Sequence, residues 1–318
     1  LEIQVMAASD YKIFSGSSNR PLSENIAQRL DKQLGSLELK RFSDGEIWAK
    51  YGENIRGSDI FLIQSTIPPA ENLLELLIMI DAAKRASAKR ITAVIPYFGY
   101  SRQDRKDQPR VAITAKLVGN LITVAGADRI MTMDLHAPQI QGFFDIPFDH
   151  LYGSTIFISK FEAIKSNLVV VSPDVGCIKV ARSYAKRLQA NLVVIDKRRP
   201  VQNQAEVVNI IGEVENKDVL IVDDLIDTAG TFVGAVEALK QKGALDIYGA
   251  ITHPMLSGKA VDRIEASSLK KLYVSDTIPL KCKSDKIEVL TASEIFSEAI
   301  KRTFNNESIS SLFDVDKS

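Results

Sequence analysis

Cysteine is nearly absent: Cys177 and Cys282 are the two in a chain of 318 residues. So few exclude a disulfide framework and fit a reducing compartment, so a cytoplasmic location is expected. No CxxC or Cys/His spacing suggests a zinc site. An excess of one charge sign is also missing, with 40 Lys and Arg against 40 Asp and Glu. That balance argues against a nucleic-acid surface, but it leaves room for local basic clusters that meet a small anion. Long apolar runs are lacking as well. The longest, "LLELLIMI" at 73–80, carries Glu75 and falls far short of the roughly 20 residues that span a bilayer, so no membrane partner is expected. The start, "LEIQVMAASD", lacks an initiator Met and has neither the basic start nor the apolar core of an export signal.

What is present is the composition of a globular protein, 45% apolar and 25% charged. The length suggests about two domains of roughly 100–200 residues each. Short runs rich in Ile and Val recur at 59–65, 90–96, 129–134, 168–172, 192–196, 219–224 and 247–252. They are apolar on successive residues, which predicts strands buried on both faces. Helical patterns lie between them at 71–87, 112–126, 175–189 and 231–243, the last closing on Gly243. This alternation predicts an α/β fold with parallel sheets and the ligand-binding loops at one sheet edge. "DRIMTMDLHAPQIQGFF" (128–144) matches "KDVLIVDDLIDTAGTF" (217–232) in outline. The likeness points to an internal duplication with a join near 150, in which only the second copy has a Thr-x-Gly-Thr turn.

The segment "VLIVDDLIDTAGTF" (219–232) carries the most chemistry. An apolar strand delivers Asp223 and Asp224, and "DTAGT" then turns into a helix. Gly230 is expected to relax the backbone there. The hydroxyls of Thr228 and Thr231, the turn amides and the helix N-terminus make a phosphate cradle. It lacks a lysine, so it is not a Walker A loop. Paired carboxylates suit vicinal sugar hydroxyls, and the spacing separates the two tasks. Ribose 5-phosphate offers both groups. A plain capped strand–turn–helix junction would need one of these polar residues, not all of them.

This segment resembles the signature of the type I phosphoribosyltransferase fold. Further motifs narrow the resemblance to the ribose-phosphate diphosphokinase family. They are "KIFSGSS" (12–18), "RFSDGE" (41–46), "YSRQDRK" (100–106), "MDLHAPQIQGFFDIP" (133–147), "VSPDVG" (171–176), "DKRRP" (196–200) and "THPMLSG" (252–258). The resemblance implies two similar phosphoribosyltransferase-like domains, each a mostly parallel sheet flanked by helices. They would cover 1–150 and 151–303, with a tail at 304–318 that packs on the first. It also implies transfer of a diphosphoryl group from MgATP to ribose 5-phosphate, and a homohexamer built from dimers with active sites shared between subunits.

Residue by residue, the resemblance implies that Asp223, Asp224, Asp227, Thr228, Ala229, Gly230 and Thr231, with Arg199, bind ribose 5-phosphate. Lys197 and Arg199 would be catalytic; spacing alone gives this basic loop no role. Arg102, Arg105, Lys106 and Arg110 form a cationic loop after a strand, where a triphosphate would need forked cations. The resemblance assigns Arg102, Gln103 and Asp104 to ATP. Read alone, "RFSDGE" is a turn at Gly45; the resemblance implies that Phe42, Asp44 and Glu46 reach ATP in a neighbouring subunit. His136 and Asp174 are the implied ligands of Mg²⁺, with the oxygen-bearing Asp174 the better direct ligand. Arg105 and the tail residues Ser308, Ser310 and Ser311 are the implied regulatory contacts. Two positions depart from the family pattern. Cys177 stands where many relatives have a second Gly, and Ala229 where relatives often have Gly or Cys. Both are small, so the site is expected to survive, with Cys177 bearing on access to the metal.

Overall fold

The computed structural model describes residues 10–198 and 207–313. They form two units, one of residues 10–151 and 292–313, the other of 152–291. The first holds β1 (Tyr11–Ser15), α1 (Arg20–Arg29), β2 (Leu37–Arg41), β3 (Ile47–Tyr51), β4 (Asp59–Ile63), α2 (Glu71–Arg85), β5 (Arg90–Ile95), α3 (Thr114–Ala125), β6 (Arg129–Met133) and β7 (Phe148–Leu151). Five strands pair in the order β1-β4-β5-β6-β7, all parallel. Every residue of β4 is buried, as the apolar run from Ile60 to Ile63 requires, and Asp59 at its start pairs with Arg90. Leu76, Met79, Ile80 and Ala83 repeat at helical spacing along α2. They join Ala115, Val118 and Ile122 of α3 over Ile60, Leu62, Ile91 and Ala93 of the sheet. The helix at 71–87 is therefore a core helix on that face.

The second unit holds α4 (Ser154–Phe157), β8 (Leu168–Ser172), α5 (Ile178–Leu188), β9 (Asn191–Arg198), β10 (Val207–Ile211), β11 (Asp218–Ile226), α6 (Gly230–Gln241), β12 (Ile247–Pro254), α7 (Ala260–Ala266), β13 (Lys271–Ser275) and β14 (Ile287–Leu290). Its sheet runs β10-β9-β8-β11-β12-β13-β14, parallel except for β10 against β9. Alternate residues of β11 serve opposite faces. Val219 and Ile221 pack with Phe232, Val236 and Leu239 of α6, while Leu220 and Val222 pack with Tyr184 and Leu188 of α5. Gly243 follows the end of α6 in the left-handed conformation, φ +85°, where glycine has no Cβ penalty. No helix among the described residues is long and apolar enough to cross a membrane.

One expected boundary is corrected. Residues 292–303, assigned by sequence to the second domain, belong to the first unit. They form most of α8 (Ser293–Asn305), which packs on α1. Phe296 and Ile300 are fully buried, the Phe304 ring lies 4.5 Å from that of Tyr11, and Arg29 Nε donates to Ser293 Oγ at 2.9 Å. The apolar stripe of an amphipathic helix has to be covered, and sequence periodicity does not say which sheet covers it. Phe296→Ala is expected to cost the first unit about 3–5 kcal/mol. Hydrogen exchange should then quicken in β1 and β4 while β8 and β11 keep their protection. The reverse pattern would contradict the assignment of α8.

Candidate active site

The central feature is a strand that outruns its neighbour. Up to Ile221, β11 pairs with β8 on one side and β12 on the other. Beyond that, β12 continues the register, with Asp223 opposite Ile251 and Leu225 opposite His253. β11 thus extends two residues past the acidic pair, to Ile226, rather than ending on it. The loop after β8 reaches the side that β8 leaves. There the Cys177 thiol donates to Asp223 Oδ1 at 2.8 Å, and the Cys177 amide donates to Asp174 Oδ1 at 3.0 Å. The Asp224 amide also donates to Asp223 Oδ1, at 2.9 Å.

Burial first, and then the Asp224 carboxylate, push the Asp223 carboxyl well above the usual range. Burial likewise pushes the Cys177 thiol up, followed by Asp223, Asp174 and Asp224. Three carboxylates, Asp174, Asp223 and Asp224, thus act on one another and on the Cys177 thiol at this strand end. Cys177 Sγ and one oxygen each from Asp223 and Asp224 lie within 4.8 Å of one another. Carboxylate oxygens fit a hard cation such as Mg²⁺, but a protonated thiol does not. Asp174 is exposed, and its oxygens are donors of the right kind.

The turn after β11 corrects one expectation. Ala229, not Gly230, takes the left-handed conformation, with φ 60° and ψ 1°. A Cβ on Gly230 would meet nothing nearer than Arg263 Nη1, at 3.7 Å, so space and φ alike leave Gly230 unconstrained. α6 then starts without a side-chain cap, so its first amides are offered to an anion. Thr228, Gly230 and Thr231 are exposed, and Asp227 is half-buried. The backbone is fixed from beyond the turn: the Ser257 amide donates to the Asp227 carbonyl at 2.9 Å, and Arg263 Nη1 to the Thr228 carbonyl at 2.6 Å. Arg263, on α7, thus brings to the turn a cation that its own sequence lacks. Nothing in the local sequence pointed to it.

Lys197 is the penultimate residue of β9, opposite Val208 of β10. Its side chain, and Arg199 altogether, lie outside the described residues.

In the first unit, the other predicted residues sit on a hairpin tip and on loops after parallel strands. Phe42 is 55% exposed at the tip between β2 and β3, beside exposed Asp44 and Glu46. The Phe42 amide donates to the Glu46 carbonyl at 2.9 Å, and Gly45 takes φ +97°. Arg102, Gln103, Asp104 and Arg105 follow β5. Asp104 accepts from Gln139 Nε2 at 3.0 Å, which ties this loop to the segment after β6 that carries exposed His136. His150 helps to fix that segment: its Nε2 accepts from the Leu135 amide at 3.0 Å. His150 is buried, and its role was not legible from sequence.

Ser308 and Ser310 line a cleft of about 360 Å³ with Arg90 and Arg129, which open β5 and β6. Arg105 follows the opposite end of β5, so one chain does not bring Arg105 to these serines. The Ser311 side chain lies outside the described residues.

A pH test follows from Asp223. A raised carboxyl binds its proton more tightly folded than unfolded. Between its unfolded value of about 3.9 and its higher folded value the folded chain holds more protons, so stability falls as pH rises. Asp223→Asn removes that loss. In chelator, the variant should melt above the parent at about pH 7.5, by about 2–4 °C per kcal/mol relieved. The gap should close as pH falls toward about 4. A variant less stable than the parent at the higher pH would contradict this electrostatic reading.

Comparison with known proteins places this arrangement. Residues 11–126 match the N-terminal domain of ribose phosphate pyrophosphokinase, and residues 200–314 match the phosphoribosyl synthetase-associated domain. A ribose-phosphate pyrophosphokinase of Chlorobaculum tepidum is 61% identical over 308 residues, covering 95% of each chain. One from Campylobacter jejuni is 54% identical, covering 95% of this chain and 99% of its own. The crystal structure of phosphoribosylpyrophosphate synthetase from Mycobacterium smegmatis superposes with a TM-score of 0.89 at 38% identity. That match covers 94% of this chain and 100% of the other. The chain therefore belongs to the ribose-phosphate pyrophosphokinase family.

Proposed function

We propose that the chain transfers the diphosphoryl group of MgATP to the anomeric hydroxyl of ribose 5-phosphate. The products are 5-phosphoribosyl 1-diphosphate and AMP. One observation carries the ribose half of this reading. An acid pair on a projecting strand is followed by a left-handed turn and a helix that starts without a side-chain cap. Asp223 and Asp224 accept hydrogen bonds from the sugar diol. The amides and hydroxyls of 227–231 hold the 5-phosphate, helped by about half a positive charge at the helix start. The Arg263 guanidinium adds a full charge beside that turn.

For the nucleotide, Phe42 offers an exposed ring to adenine, and Arg102, Gln103 and Asp104 meet the ATP. The acceptor oxygen approaches the β-phosphorus in line with the departing AMP oxygen, a transfer governed by positioning and charge neutralisation. Lys197 and Arg199 neutralise the developing oxyanions. Asp174 and His136 would hold Mg²⁺, which supplies further neutralisation when bound. Phe42, Asp44 and Glu46 would serve a neighbouring subunit's ATP in a hexamer. Arg105, Ser308, Ser310 and Ser311 would form regulatory contacts there, in a cytoplasmic enzyme.

An AMP-release assay with MgATP and ribose 5-phosphate tests the activity and the loop together. Lys197→Ala should lower turnover about 10²–10³-fold, the range for one donor to a developing oxyanion, with the KM for ribose 5-phosphate little changed. Full turnover in the variant would remove Lys197 from the chemistry. A parent protein that releases no AMP at any Mg²⁺ or phosphate concentration would instead be a non-catalytic homologue.

A further inference from the structure

We infer that Cys177 is a positioning residue for ribose binding, holding Asp223 in the orientation in which it receives the sugar. This rests on the reading of Asp223 as an acceptor for the ribose hydroxyls.

Cys177 joins the two acidic segments of the pocket. Its amide is bonded to Asp174 Oδ1 and its thiol to Asp223 Oδ1. Asp223 Oδ1 thus takes two donors, the thiol at 2.8 Å and the Asp224 amide at 2.9 Å. Rotation of the carboxylate about its side-chain bonds would break both. A carboxylate that is already held loses less freedom when a diol docks on it, and that lowers the cost of binding.

The local chain is shaped to bring the thiol there. A Cβ on Gly176 would lie 3.1 Å from Asp174 Oδ1, closer than most Cβ contacts, so a glycine lets the loop wrap around Asp174. Cys177 then caps the start of α5, 9% exposed. A glycine or alanine at 177 would keep the amide bond to Asp174 and lose the bond to Asp223. The bland account of a buried free cysteine is that of a small hydrophobe. Under that account, alanine serves better than serine. Under the positioning role the order is reversed, because serine still donates.

The test compares Cys177→Ala, Cys177→Ser, Asp223→Ala and the Cys177→Ala/Asp223→Ala double variant. Calorimetric titration of ribose 5-phosphate and initial rates with varied MgATP are the readouts. Loss of one net hydrogen bond predicts that Cys177→Ala weakens ribose 5-phosphate binding about fivefold, with the KM for MgATP unchanged. Cys177→Ser should return binding to within about twofold of the parent. Asp223→Ala should weaken binding, and adding Cys177→Ala to it should change nothing further, because the thiol acts through the carboxylate.

Parent-like binding by Cys177→Ala overturns the proposal, as does equal loss in the Ala and Ser variants. An additive loss in the double variant marks a packing role and overturns it too. If Asp223→Ala leaves binding unchanged, the ribose reading of Asp223 fails and the proposal goes with it. If Asp223→Ala weakens binding and Cys177→Ala does not, only the positioning role fails.

Discussion

Like charge gathered at one strand end is the constraint on which the site depends. Asp174, Asp223 and Asp224 meet where β11 continues past β8, and burial there raises the Asp223 carboxyl. An arrangement of that kind costs stability when left alone. It persists because rigid parts hold it: β12 beside β11, the Asp224 amide, and the Cys177 thiol. The charge is then available to whatever offers the complement, namely hydroxyl protons of a sugar and a hard cation. A few residues on, the sign reverses, since α6 begins there with no side-chain cap on Ala229 and Arg263 stands behind the turn. A bipolar ligand, neutral and hydroxylated at one end and anionic at the other, matches that order.

The first unit applies the same edge of a parallel sheet to a different task. The loops after β5 and β6 are joined through Asp104 and Gln139, so the cationic loop and the His136 segment are held as one surface. Phe42 stands apart on a hairpin tip, exposed and backed by a tight turn at Gly45. Arg105 and the serines proposed for regulation divide between the two ends of β5.

Much of this was legible in the sequence, and for a physical reason. A parallel strand buried on both faces reads as an unbroken Ile/Val run, as in "VLIV" and "LVVV", so the central strands and the loops after them were placed correctly. The edges were harder. β7 and β14 are four residues each, too short for a period to show. α8 has a clear amphipathic stripe, but the stripe names no partner, so its return to the first unit was missed. In the turn, glycine's freedom pointed to Gly230 as the residue that relaxes the backbone, yet it is Ala229 that takes the left-handed conformation. Cys177 stood out only as a departure from the family pattern, and its bond to Asp223 needed three dimensions. Arg263 and His150 act on backbone distant from them in sequence, which leaves no local trace. For Lys197 and Arg199 the motif alone speaks.

The most direct measurement is a crystal structure after soaking with ribose 5-phosphate. The account predicts the sugar hydroxyls within hydrogen-bond distance of Asp223 and Asp224, and the phosphate on the amides of 228–231 at the start of α6. A phosphate seated away from that turn, or a sugar that leaves both carboxylates untouched, would contradict it.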